Sequence, residues 1–196
     1  MIRIENNSFK GGEFMKTRNF FMLFLVLSLV FGTSNLVAAA EANLRDYNVV
    51  VVQDLEVPSG SPSPESAGMQ MAEKAVFQIK RYNQGNKLFD IVVKEGGKAS
   101  QEIPSGKKVL IIKGEVKEYT PPTVGRRIGR SFIPGGEWTG TATFAARYKF
   151  IDKESGNVIY ETDLRTSSTG SNDTVDYAMD RNGEALAKTI TKLKGK

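Results

Sequence analysis

The chain has no cysteine and no histidine among its 196 residues. Without cysteine there is no disulfide, no thiolate nucleophile and no Cys-ligated metal site. Without histidine the commonest general base and the commonest metal ligand are both missing. Ser-His-Asp catalysis, Cys-His catalysis and His-ligated zinc chemistry are excluded by composition, and we expect neither enzymatic activity nor a cofactor. Charge of one sign is not in large excess: 27 Lys and Arg stand against 22 Asp and Glu, a net +5. That balance is ordinary and gives no reason to expect a nucleic-acid partner. Long apolar runs are absent with one exception. Phe20 to Phe31 is almost unbroken, but a bilayer-spanning helix needs about 20 residues.

That run has flanks that give it a meaning. Lys16 and Arg18 precede it, Gly32, Thr33, Ser34 and Asn35 interrupt it, and Ala38-Ala39-Ala40 offer small residues just before Glu41. A positive start, an apolar middle and a small-residue end are the layout of an export signal. Residues 15–40 are therefore expected to be a cleaved signal peptide, with retention as an uncleaved anchor as the rival. No transmembrane helix is expected after signal removal, and no cysteine follows the run to carry a lipid. The expected destination is the periplasm, with outer-membrane association or release from the cell as further options. Residues 1–14, with Glu5 and Glu13, do not fit a signal. Lys10-Gly11-Gly12-Glu13 can be encoded by a purine-rich ribosome-binding run ahead of Met15, so 1–14 is expected to be an untranslated upstream extension.

Residues 41–196 suit one α/β domain. Val49-Val50-Val51-Val52 is a continuous β-branched run, as in a central strand covered on both faces. Ser63, Pro64 and Glu65 then look like a helix start. The helix should run to about Gln84, with Met69, Ala72, Val76, Ile79 and Asn83 on one face and Gly85 as its stop. Leu88 to Val93 reads as a second strand and Lys108 to Thr120 as a third. Thr139 to Asp152 alternates Ala142, Phe144, Ala146, Tyr148 and Phe150 against polar residues. A turn at Asp152 to Asn157, with Gly156, joins it to a strand whose apolar face is Val158, Tyr160, Thr162 and Leu164, so the two should form a long antiparallel hairpin. A final helix from about Asp173 to Leu193 should bury Val175, Ala178, Met179, Ala185, Leu186, Ile190 and Leu193. The expected architecture is a mixed sheet of about five strands with two main helices. The right-handed crossover rule pairs the Val49 strand in parallel with either the Leu88 strand or the Val109 strand.

Candidate chemistry is sparse. Ser105-Gly106-Lys107-Lys108 has Ser-x-x-Lys spacing, but before a strand rather than at a helix start, where its lysine could reach the hydroxyl. Asp173, Asp176 and Asp180 lack the glycine-containing loop of a calcium site and suit a helix N-terminus without a ligand. Asp152 with Glu154 falls at a hairpin tip. Pro121 to Gly136 stands apart, with four glycines, three arginines and no acid. Arg126, Arg127 and Arg130, flanked by Phe132 and Trp138, could grip a partner, an anion or a lipid headgroup. The opposing reading is a soluble connection, although a loop of this length in a small domain is often functional.

The segments also resemble a known family. Val109-Leu110-Ile111-Ile112-Lys113-Gly114-Glu115-Val116, the Gly125-Arg126-Arg127-Ile128-Gly129 stretch, and Phe150-Ile151-Asp152-Lys153-Glu154-Ser155-Gly156-Asn157-Val158-Ile159 with the final helix resemble the bacterial envelope family called domain of unknown function 4410. More remotely the order of parts looks like the periplasmic domain of the curli secretion channel. The resemblance implies an exported, non-enzymatic protein that acts by protein contact, in envelope assembly or secretion. Its partners would be envelope proteins or further copies of itself. The alternative is a small anion- or lipid-headgroup-binding module built on the Gly/Arg stretch.

Overall fold

In the computed structural model, residues 42–96, 103–123 and 139–196 are described, with Gly125, Ile128, Gly129 and Phe132 between the last two ranges. The expected extension 1–14 and signal 15–40 lie outside the described residues. The elements within Ala42–Lys196 are β1 (Val49–Val52), α1 (Ala67–Asn86), β2 (Ile91–Lys94), β3 (Val109–Thr120), β4 (Thr139–Asp152), β5 (Val158–Thr169) and α2 (Val175–Leu193). Five strands form one mixed sheet in the order β2-β1-β3-β4-β5. Both expected alternatives for β1 occur together: it pairs in parallel with β2 and with β3. β4 runs antiparallel to β3 and to β5.

Alternation along the strands divides the sheet into two unlike faces. Val50, Val52, Leu110, Ile112, Val116, Phe144, Ala146, Tyr148 and Phe150 lie in the main core. There they meet Met71, Ala72, Ala75 and Ile79 of α1 and Ala178, Met179, Leu186 and Ile190 of α2. On the other face Val49, Val51 and Val109 form a small second cluster with Ile91, Val93 and Ile103. Next to it β3, β4 and β5 carry a ladder of charges. Arg147 bonds Asp163 directly opposite through two donors, at 2.8 and 2.9 Å, and lies 3.4 Å from Glu161.

The helices follow β1 and β5, which run the same way, and both return along the sheet. Lys74 pairs with Asp176 at 2.8 Å, Gln78 with Asp180 at 2.9 Å and Tyr82 with Glu184 at 3.2 Å. Steps of four in both helices show that they run in the same direction. Their C-termini therefore reach one end of the sheet together, and the Leu44 amide there bonds the Leu193 carbonyl at 3.1 Å.

Several expected details change. α1 begins at Ala67, after a turn in which the Ala67 amide bonds Pro64, so Ser63 is not its cap. Its buried face is Ala67, Gly68, Met71, Ala72, Ala75, Gln78 and Ile79, while Met69 is exposed. The cause is close approach. Leu55 lies against Gly68, where any Cβ would run into the Leu55 carbonyl, and this sets the rotation of the helix. Lys87, not Gly85, ends it, in the left-handed conformation with φ 49°. A bulge in β3 between Val116 and Glu118 moves Tyr119 to the core side and ends the simple alternation. α2 is capped by Thr174, whose hydroxyl accepts from the Tyr177 amide at 3.1 Å. It buries Asn182, Gly183 and Ala187 where Ala185 was expected.

Candidate functional site

Segment 121–138 leaves the sheet at Thr120 and returns at Thr139. That is the end where β1 and β3 finish and both helices begin. Arg126, Arg127, Arg130 and Trp138 lie outside the described residues. Phe132 is described, and it is 82% exposed; Ile128 is 55% exposed.

Two carboxylates hold the sheet on either side of this segment. Glu118, two residues before β3 ends, accepts from Arg165 at 2.7 and 3.2 Å and from the hydroxyls of Thr143 and Thr120. The Arg165 guanidinium first, and the Thr143 hydroxyl next, lower its pKa to about 2. Asp173 fastens the start of β4 to the end of β5. It accepts from the Thr141 amide at 2.6 Å, the Thr141 hydroxyl at 2.8 Å, the Ala142 amide at 2.9 Å and the Ser168 hydroxyl at 2.6 Å. Burial would raise its pKa, but these donors hold it well below the usual carboxylate range.

The other sequence candidates disperse. Asp173, Asp176 and Asp180 take separate partners: the β4–β5 corner, Lys74 and Gln78. Among the described residues no three His, Cys, Asp or Glu side chains converge as a metal site would need. Ser105 to Lys108 is a turn leading into β3. Lys107 pairs with Asp90 at 2.6 Å, and the Lys108 ammonium lies 4.8 Å from the centre of the Tyr47 ring. Asp152 accepts from the Ser155 amide at 2.8 Å and from the Tyr47 hydroxyl at 2.7 Å, and its pKa falls to about 2. Burial first, then Asp152, push the Tyr47 hydroxyl upward. Glu154 is exposed on the hairpin tip.

Sequence reasoning missed the polar contact inside the core. Tyr148 donates to Asn182 at 2.7 Å, and Asn182 donates to the Leu164 carbonyl at 3.0 Å. A signal was present: a buried tyrosine needs a partner for its hydroxyl, and Asn182 stands one turn after Met179 on the core side of the last helix.

The fold is thus a two-layer α/β domain, helices on one sheet face and a charged ladder on the other. No protein-family model matches the chain, and no curated protein matches it. Solved structures do show a likeness. A PelC dodecamer from Paraburkholderia phytofirmans aligns at 16% identity and a TM-score of 0.46, over 78% of this chain and 89% of that one. Protein XCC0632 from Xanthomonas campestris aligns at 11% identity and 0.38, over 76% and 82%. A minor lipoprotein from Acinetobacter baumannii aligns at 16% identity and 0.32, over 74% and 91%. At this level of similarity neither ligand nor assembly carries over to this chain.

Proposed function

We propose that the protein is exported and acts in the bacterial envelope by non-covalent contact with another protein, or with a second copy of itself, through segment 121–138. The observation that carries this reading is Phe132, 82% exposed on a stretch that also bears Arg126, Arg127 and Arg130. Aromatic and arginine side chains dominate the energetic centres of protein interfaces. Burying a phenylalanine is worth about 1.5–3 kcal/mol, which contact with a partner would recover. Glu118 and Asp173 fix the sheet beside the segment, so a contact there starts from a rigid frame.

A non-enzymatic role fits the titration of the carboxylates and tyrosines, Lys194 being the one displaced group among the described residues that moves away from its charged resting form. Among the described residues, the displaced carboxylates Glu118, Asp152, Asp163, Asp173 and Glu184 all move downward. Tyr47 and Tyr148 move upward. Each is held in its resting form at neutral pH, the reverse of what general acid–base work requires. The leader-like stretch 15–40 supports export to the periplasm. The Lys-Gly-Glu and Asp-x-x-x-Gly-x-Val-Ile motifs support kinship with domain of unknown function 4410.

The test is a pull-down from envelope extract with wild type, the triple change Arg126→Ser, Arg127→Ser and Arg130→Ser, and Phe132→Ser, with light scattering for self-association. Lys153→Ser with Lys188→Ser is the charge control. Loss of partner or oligomer in the triple variant and in Phe132→Ser, with melting unchanged, is the expected result. Retention of every partner by both would sink the proposal. Binding to anionic vesicles instead of protein would favour the lipid-headgroup alternative.

A further inference from the structure

We propose that the end of the domain opposite segment 121–138 holds a phosphate-binding site formed by Arg45, Lys87, Lys194 and Lys196. It does not depend on the contact reading above. A cavity of about 410 Å³ opens there, bordered by these four residues, Tyr47, Phe89 and Asp90, whose carboxylate is paired with Lys107. That is a size that small-molecule sites use.

The central group is Lys194. The residue is only 7% exposed. Its ammonium gives one hydrogen bond to the Tyr47 carbonyl at 2.5 Å and stands 4.4 Å from the centre of the Phe89 ring. It has three donors, and among the described residues no carboxylate reaches it within ion-pair distance. Buried charges are ordinarily paired. Asp46 and Asp90 attract it from farther away, but Asp90 is engaged by Lys107 at 2.6 Å. Burial pulls the Lys194 ammonium below the ordinary lysine range, and a bound anion would reverse this.

Arg45 is placed for the same purpose. Its guanidinium lies against Gly195, where a Cβ would stand 2.6 Å from Nη2 and where φ is +71°. Its backbone amide bonds Asn43, but its guanidinium has no acceptor among the described residues. Lys87 takes a left-handed conformation that glycine adopts without cost, and its ammonium has no partner among the described residues. Together the four cations supply an arginine fork and three point charges, which suits a phosphate group carrying more than one charge.

Both helix C-termini arrive at this cavity, so Lys87 and Lys194 also answer the helix dipoles. That role needs one cation per helix. It does not call for Arg45 or Lys196.

The experiment is calorimetric titration of the purified protein with inorganic phosphate, against chloride at equal ionic strength. Lys87→Gly keeps the left-handed cap while removing the charge, and Arg45→Ala removes the fork. Wild type should bind phosphate. Each variant should bind about tenfold or more weakly, as loss of a charge-assisted hydrogen bond implies, and Lys87→Gly should melt no lower than wild type. Vesicles of phosphatidylglycerol in phosphatidylcholine form the second arm: pelleting that is lost in the same variants assigns the phosphate to a lipid, and no pelleting assigns it to a soluble ester. Absence of phosphate heat in wild type, or equal binding by wild type and Lys87→Gly, would overturn the site.

Discussion

Changing Asn182 to alanine tests how α2 is locked to the sheet. Asn182 and Tyr148 are both fully buried. The Asn182 side chain accepts from Tyr148 at 2.7 Å and donates to the Leu164 carbonyl at 3.0 Å and the Thr166 hydroxyl at 3.3 Å. Asn182→Ala leaves the Tyr148 hydroxyl buried without a partner, at about 1–3 kcal/mol. The space vacated adds to that, so the loss should be about 2–4 kcal/mol. Thr166 suffers less, because its hydroxyl keeps the Ala178 carbonyl at 2.7 Å. Tyr148→Phe orphans one oxygen of Asn182 instead and should cost about 1–2 kcal/mol. The double change removes the orphaned hydroxyl. It should therefore cost less than the sum of the singles, by about 1–2 kcal/mol. Urea unfolding followed by circular dichroism measures all four proteins, provided the slope m stays constant. Additivity within about 0.5 kcal/mol would mean that the two side chains are not coupled, and the reasoning would fail.

The last helix makes a second prediction. Ile190 is fully buried, so Ile190→Ala should cost about 2–5 kcal/mol. Lys188 pairs with Glu184 on the outer surface at 2.9 Å, so Lys188→Ala should change stability by no more than about 0.5 kcal/mol in the same urea assay; equal losses would place the wrong side of the helix inward. Acid gives a third. Glu118 and Asp152 have folded pKa values of about 2, below the unfolded range near ~4. The stability they contribute is present above about pH 4 and lost as pH falls through about 2. The urea midpoint should fall across that window, and Glu118→Gln should flatten the fall; a midpoint that drops equally in wild type and Glu118→Gln would count against the Arg165–Glu118 corner.

The β4–β5 hairpin was legible because one signal governs β4, although Val158, expected on the apolar face of β5, is 52% exposed across a register shift between Phe150 and Ile151. Ala142, Phe144, Ala146, Tyr148 and Phe150 alternate against polar neighbours, and all five are buried as expected. Gly156 takes φ +72° in the turn between the strands. α1 was legible as a helix but not in its rotation. Ala72 and Ile79 are buried as expected, but hydrophobicity also favoured Met69 and Val76, whereas close contact of Leu55 with Gly68 turns Gly68, Met71 and Ala75 inward and leaves Met69 exposed. The start of α1 was misplaced for a related reason: Pro64 fits a first helical turn, but here it begins a separate turn. The phosphate site left no sequence trace, because Arg45, Lys87 and Lys194 come from three separated segments and no periodicity links them. Segment 121–138 could be singled out by composition, yet four of its five named site residues lie outside the described residues.

The four valines of β1 have one more consequence. Register in a sheet is normally written as a difference between successive side chains, so that a slip by one residue exposes what should be buried. Val49–Val52 are all buried and all identical, so a slipped β1 would present the same surface to both neighbours. The strand carries no address of its own. The address lies in its flanks. On one side the Tyr47 hydroxyl bonds Asp152, and the Asn48 amide bonds the Lys108 carbonyl at 2.9 Å. On the other, the Glu56 amide bonds the Gly114 carbonyl at 2.8 Å, and Leu55 nests against Gly68, where a Cβ would run into the Leu55 carbonyl, and beside Gly114, where a Cβ would run into the Arg147 carbonyl of β4. The glycine of the Lys-Gly-Glu motif thus works as an alignment mark: it lets the centre of the sheet be built from four interchangeable residues and still assemble in one way.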